Sequence, residues 1–154
     1  QTTVAPEPAR VRGVKATVAV TEVSYGCPAI YEAPIKKRSN TETPVCCVKL
    51  AISNTGQETV AFRTWRIFEK LADATRATLI DKAGCPYGLV SFGVDTYPEG
   101  SRQRADLNPG EVITEQILFA CKQKPADDLE ISLPCENLGG KGLLRFRIPR
   151  EMVQ

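Results

Sequence analysis

Histidine is absent from this 154-residue chain. That removes the commonest general base and metal-binding side chain together, and it excludes nucleophilic machinery of the Ser-His-Asp or Cys-His kind. No Cys-x-x-Cys pair occurs either. The only close cysteines are the vicinal Cys46 and Cys47, a spacing that does not build a cysteine-only zinc site. No run approaches the roughly 18 apolar residues of a spanning helix, so direct membrane insertion is not expected. The chain has little excess of either charge. Its 20 basic and 18 acidic residues give +2, too balanced to point to nucleic acid or an anionic membrane as partner. There is no repeat of fixed period, and no cofactor motif is recognisable.

What is present is ordinary globular composition, with 42% hydrophobic and 25% charged residues, which suits one soluble core without metals. The opening Gln1-Thr2-Thr3-Val4-Ala5-Pro6-Glu7-Pro8 has no methionine and no apolar leader. It reads as the start of a processed or excised piece, with a leader or an anchor expected upstream. Residues 1–10 are expected to be a linker or tether, and 11–154 a single domain.

Period-two alternation dominates the chain. From Val11 to Val23, Val14, Ala16, Val18 and Val20 fall on one face; from Val45 to Asn54, Cys46, Val48, Leu50 and Ile52 do. Asn54-Thr55-Gly56 is tight-turn chemistry, so Val60–Arg66 is predicted to fold back on this strand as a hairpin. Ile67–Ala74 has helix-forming composition but is short. Further strands are predicted at Ala77–Asp81, Tyr87–Val94, Val112–Cys121, around Leu129, Ile131 and Leu133, and around Leu144, Phe146 and Ile148. Glycine, proline and asparagine separate them. The pattern predicts an all-β, immunoglobulin-like β-sandwich of about seven to nine strands with at most one short helix.

Six cysteines, Cys27, Cys46, Cys47, Cys85, Cys121 and Cys135, form an even set that suits disulfides in an oxidising compartment. Alternation puts Cys46 in the core and turns Cys47 outward, where it could pair with the preceding loop, for instance with Cys27. Both lie in a strand, away from the helix start that a reactive thiolate favours, so redox catalysis is not expected. Asp73, Asp81, Asp95, Glu99 and Asp106 sit near loops without the spacing of a calcium loop, and read as solvated charge. Trp65, the only tryptophan, reads as a core residue. A partner-binding surface is best sought in the loops, at Tyr25, Tyr31 and Tyr97 and at the one basic run, Lys36, Lys37 and Arg38.

Two segments carry a family resemblance: Val48-Lys49-Leu50-Ala51-Ile52-Ser53-Asn54-Thr55-Gly56, and Leu107-Asn108-Pro109-Gly110-Glu111 leading into Ile117-Leu118-Phe119. Together they resemble the paired signatures of the immunoglobulin-like extracellular domains of bacterial lipoproteins and membrane-anchored proteins, the telomeric-repeat-binding-factor-like Ig domains. Val60 to Val153 is similar to an uncharacterised bacterial subgroup, through Arg63-Thr64-Trp65, Leu79-Ile80-Asp81, Gly84, Tyr87, Phe92-Gly93, Glu136 to Gly140 and Arg145 to Pro149. Cys85, Pro86 and Cys135 depart from that subgroup's pattern.

The resemblance implies an extracytoplasmic domain, periplasmic, cell-surface or secreted, in chains that begin with a membrane anchor or a short zinc ribbon. It names no binding residues and no chemistry. The function expected is a non-catalytic interaction or structural module whose partner is another protein or an envelope component. The alternative is a secreted proteinase-inhibitor-like or small-ligand-binding domain, with an ordered loop protruding around residues 28 to 44 or 95 to 106.

Overall fold

A computed structural model describes residues 5–66, 76–92 and 95–154. It is an all-β sandwich. The strands are β1 (Ala9–Arg10), β2 (Ala16–Gly26), β3 (Ala29–Glu32), β4 (Lys37–Asn40), β5 (Val45–Asn54), β6 (Val60–Arg63), β7 (Thr78–Ile80), β8 (Pro86–Tyr87), β9 (Thr96–Pro98), β10 (Arg104–Leu107), β11 (Val112–Ala120), β12 (Leu129–Pro134) and β13 (Leu143–Ile148). Only two 3-10 turns, Cys135–Leu138 and Arg150–Met152, add helical structure among the described residues. The expected short helix at Ile67–Ala74 lies outside them, as do Gly93 and Val94 of the strand expected at Tyr87–Val94.

One sheet has the order β1-β2-β5-β11 and faces a second, β13-β12-β7-β8, with the two-stranded β10-β6 ladder completing the second layer. The alternating faces meet between them. Val18, Val20, Cys46, Val48, Leu50, Ile52, Ile117 and Phe119 of the first layer pack with Leu79, Leu129, Ile131, Leu133, Phe146 and Ile148 of the second. Trp65 is fully buried there, its indole N–H donating to the Pro134 carbonyl at 2.8 Å and its ring edge-on to Phe62. A bulge between Val20 and Glu22 keeps β2 amphipathic: the register shifts by one, and Val23 returns to the core where strict alternation would bury Glu22.

Two expectations are corrected. Val60–Arg63 does not fold back on β5, because both edges of β5 are occupied, by β2 and β11; β6 crosses to the other layer and pairs with β10. The strand expected at Tyr87–Val94 is only Pro86–Tyr87, followed by a single Leu89–Phe119 bridge. The polar segments 28–44 and 95–106 are ordered and contain β3, β4, β9 and most of β10. They form a third sheet, β4-β3-β9, which packs on the outer face of the first through Ile30, Val45, Cys47 and Leu118.

Asn54 joins the two turns at the end of the sandwich. Its side-chain N–H groups donate to the Glu58 carbonyl (2.7 Å) and the Leu107 carbonyl (2.8 Å), while its side-chain oxygen accepts from the Gly56 N–H (2.9 Å). Its main chain bonds both Glu111 and Gly110 of the facing turn. At the other reversal, a Cβ on Gly140 would lie 2.5 Å from the Arg12 carbonyl oxygen, so only glycine lets β13's lead-in pass so close to the Arg12 backbone.

Asn54 is buried, and removing its amide takes a donor from two carbonyls and an acceptor from the Gly56 N–H. Asn54→Ala is expected to lower the unfolding free energy by about 2–4 kcal/mol in urea titrations. A loss below about 0.5 kcal/mol would contradict the pin.

Candidate functional site

The third sheet gathers most of the residues that the sequence marks for recognition. β3 pairs with β4 so that Tyr31 faces Arg38 and Glu32 faces Lys37, and with β9 so that Tyr31 faces Tyr97. Because residues directly opposite share a face, Tyr31, Tyr97 and Arg38 lie on the same outward surface, and Ile30 and Ser39 lie on the other. The two tyrosine rings are 5.9 Å apart and tilted by 54°. Arg38 pairs with Glu99 at 2.7 Å, an exposed ion pair worth little on its own. Ala33 to Lys36 form the turn that joins β3 to β4, with Lys36 at a positive φ of 50° and Ile35 62% exposed at the tip.

Tyr25 is not part of this surface. It lies in β2 opposite Cys46, half-buried against the main core, and its N–H donates to the Gln154 carbonyl.

Sheet β4-β3-β9 is held in place from beneath and from the side. Beneath, Ile30 rests on Val45, Cys47 and Leu118. At the side, the Gln116 side chain donates to the Glu99 carbonyl at 2.9 Å, and the Gln116 N–H donates to the Ser101 hydroxyl at 3.0 Å. Next along β11, Glu115 is completely buried. It accepts from the Thr64 hydroxyl at 2.5 Å and from Arg66 Nε at 3.0 Å, and it also bonds the Ser101 side chain. Arg66 in turn donates to the Arg102 carbonyl. This buried pair therefore ties β11 to the strand that delivers Tyr97. Burial raises the Glu115 carboxyl pKa above its ordinary value, and the Arg66 charge and the hydrogen bonds only partly offset it. The sequence offers one clue to this group: Glu115 stands between Ile113 and Ile117 on an inward face.

All six cysteines are free in this structure, which gives the expected stapling no support. Cys46 faces Phe119 in the core, and Cys47 points the other way, as alternation requires. The outward side of Cys47 is nevertheless covered by the third sheet, and its thiol donates to the Gln116 side-chain oxygen at 3.4 Å, whereas Cys27 is exposed. Burial, with the neighbouring Cys121 and Cys47 adding to it, pushes Cys46 up to about 12. Burial pushes Cys47 up to about 11. Both are neutral thiols at physiological pH, unsuited to attack. Cys121 donates to the Gln123 carbonyl, Cys135 is buried, and Cys85 is exposed. Of the acidic residues, Asp81 accepts from the Ala83 and Cys85 N–H groups and Glu99 pairs with Arg38, while Asp73 lies outside the described residues.

No protein-family model matches the sequence, and no curated protein matches it. Solved structures do match. The candidate lipoprotein ycdA of Bacillus subtilis superposes with a TM-score of 0.55 at 18% identity, over 97% of this chain and 40% of that one. The Bacillus subtilis yjhA protein gives 0.49 at 9% identity, over 86% of this chain and 80% of its own. The fold of this chain is shared with ycdA. The chain spans 40% of ycdA's length, and the likeness is one of fold.

Two outcomes follow. Arg66→Met leaves a buried carboxylate alone and is expected to cost about 3–5 kcal/mol, most of it recovered in Arg66→Met/Glu115→Leu. A raised carboxyl pKa means that the folded state binds the proton more tightly. The stability this supplies is complete below the unfolded value of 4.5 and is lost as pH rises through the folded value. The Arg66→Met deficit, read from denaturant midpoints, should therefore widen as pH rises above the wild-type folded value, where the variant alone goes on losing stability; a deficit independent of pH would contradict this. For the thiols, iodoacetamide on native, unreduced protein should label Cys27 and Cys85 fast, with Cys46, Cys47 and Cys135 labelled only in denaturant. Six alkylated thiols in denaturant without reductant are expected, and fewer would restore a disulfide.

Proposed function

We propose that this domain is a non-catalytic, immunoglobulin-like interaction module displayed outside the cytoplasm, and that it recognises a protein or envelope component through the outward face of β4-β3-β9. The observation that carries the reading is the Tyr31–Tyr97 pair beside Arg38, on a sheet appended to the sandwich. Tyrosine and arginine are the residues that anchor interfaces, because they bring large contact area with a polar end. The main core closes without this appended sheet, so the extra sheet reads as a display element. The shared fold with ycdA, described as a candidate lipoprotein, and the sequence resemblance to extracellular domains support the location.

A second reading is favoured by one feature, the ordered β3–β4 hairpin with Ile35 protruding at its tip, which is the shape of a proteinase-inhibitor loop. Inhibition of any enzyme in a protease panel, lost in Ile35→Asp, would select it.

The main reading is tested by capture from the solubilised envelope of the source cells, with the full chain as bait. Proteins retained by the wild type should fall by about tenfold or more with Tyr31→Ala/Tyr97→Ala, as expected for hot-spot residues. A captured set indifferent to both tyrosines, or source of the chain in the cytosolic fraction alone, would refute it.

A further inference from the structure

Among the described residues β4 is an edge strand of the three-stranded sheet, and the hydrogen-bond parity identifies which groups line that edge. The Thr41 N–H donates to the Pro28 carbonyl, and this pair lies on the same register line as Ala29–Asn40, Ile30–Ser39, Tyr31–Arg38 and Glu32–Lys37. In an antiparallel ladder, bonded pairs alternate with non-bonded ones. The bonded pairs are thus Ile30–Ser39 and Glu32–Lys37. The bonds of Glu99 to Ala29 and of Ala33 to Asp95 agree, because they turn the odd-numbered residues of β3 toward β9 and leave the even-numbered ones for β4. Arg38 and Asn40 therefore point their N–H and carbonyl groups away from β3. Among the described residues no strand pairs with that side of β4.

The two faces beside this edge differ. On the face that carries Ile30 and Ser39 runs a groove of about 900 Å³, floored by Ile30, Val45, Val90 and Phe92 and passing Cys121 on its wall. Phe92 is 36% exposed in it. On the opposite face stand Tyr31, Tyr97 and Arg38, and the edge begins with the basic run Lys36, Lys37 and Arg38. A strand laid along β4 would alternate its side chains between these faces, so its partner chemistry is set by both.

We propose that β4 accepts an added strand from a partner protein: an extended segment that alternates apolar with acidic side chains. Its apolar residues fill the groove, its carboxylates meet Arg38 on the opposite face, and its main chain bonds the outward groups of Arg38 and Asn40. The Arg38–Glu99 pair is exposed, so Arg38 can exchange Glu99 for a carboxylate of the partner. A second copy of this chain suits the edge poorly, because pairing β4 with β4 would bring two Lys36-Lys37-Arg38 runs onto one short ladder. This inference rests on the interaction-module reading and specifies the mode of binding.

The test uses the full chain as target for a display library of random peptides of about nine residues, longer than an ordinary strand. Enriched sequences are expected to alternate apolar and acidic positions. Synthetic copies N-methylated at alternate residues should lose binding by about tenfold or more for one parity and keep it for the other. Asn40→Pro, with folding checked by its amide spectrum, should weaken the same peptides by a similar factor, and Arg38→Glu should weaken them as well. No enrichment, enrichment without acidic alternation, or equal loss from both N-methyl parities would overturn strand addition. Reversible dimerisation of the free chain in sedimentation, abolished by Asn40→Pro, would replace the partner by a second copy. Peptides lost with Tyr31→Ala/Tyr97→Ala but indifferent to N-methylation and to Asn40→Pro would refute strand addition while leaving the interaction module standing.

Discussion

Both edges of β5 are taken, and the remaining architecture follows from that constraint. With β2 on one side and β11 on the other, the chain leaving Asn54 has no place beside β5 and must cross to the opposite layer. Asn54 makes that crossing definite. A single buried amide bonds the β5–β6 turn at Gly56 and Glu58, and it bonds the β10 end at Leu107, so the two turns that close this end of the sandwich are fixed against each other. The two sequence signatures, Asn54-Thr55-Gly56 and Leu107-Asn108-Pro109-Gly110-Glu111, are one spatial unit. Their role is to set topology, and they sit apart from the third sheet.

From β5 the same alternation supplies two cores. Cys46, Val48, Leu50 and Ile52 build the interior of the sandwich, while Val45 and Cys47 on the reverse face form the seat for Ile30. β11 does likewise: Ile117 and Phe119 face the main core, Leu118 faces the seat, and Glu115 and Gln116 reach the segment that carries β9. The appended sheet is thus anchored by apolar contact below and polar contacts beside it, with its far edge and outer face left to solvent. An ion pair such as Glu115–Arg66 adds little net stability compared with an apolar substitute, but its geometry fixes the segment at Ser101 and Arg102 that follows the Tyr97 strand.

The long strands were legible because each carries its own evidence. β2, β5, β11, β12 and β13 alternate apolar with polar residues over six or more positions, and their buried faces are those the alternation names. β3, β4 and β9 were read as loop, since Ala29-Ile30-Tyr31-Glu32, Lys37-Arg38-Ser39-Asn40 and Thr96-Tyr97-Pro98 are too short and polar to show a period. Their order comes from cross-strand pairing and one buried isoleucine, which a linear pattern does not display. The β5–β6 hairpin failed for a related reason: turn chemistry says that the chain reverses, not which edge is vacant. The expected role of Cys47 failed because outward from one sheet proved to be inward beneath another. Tyrosine, arginine and lysine within 31–38 and at 97 did mark the right region of the chain, although Tyr25, chosen on the same grounds, belongs to the sandwich.

Recognition through the appended sheet requires that it be ordered and that its β4 edge be open. Amide hydrogen exchange of the free domain, followed residue by residue by NMR, addresses this most directly. The N–H groups of Lys37, Ser39 and Thr41 should be protected by their β3-side bonds, while those of Arg38 and Asn40 exchange freely. Uniformly fast exchange from Lys37 to Thr41, or protection of Arg38 and Asn40, would contradict it.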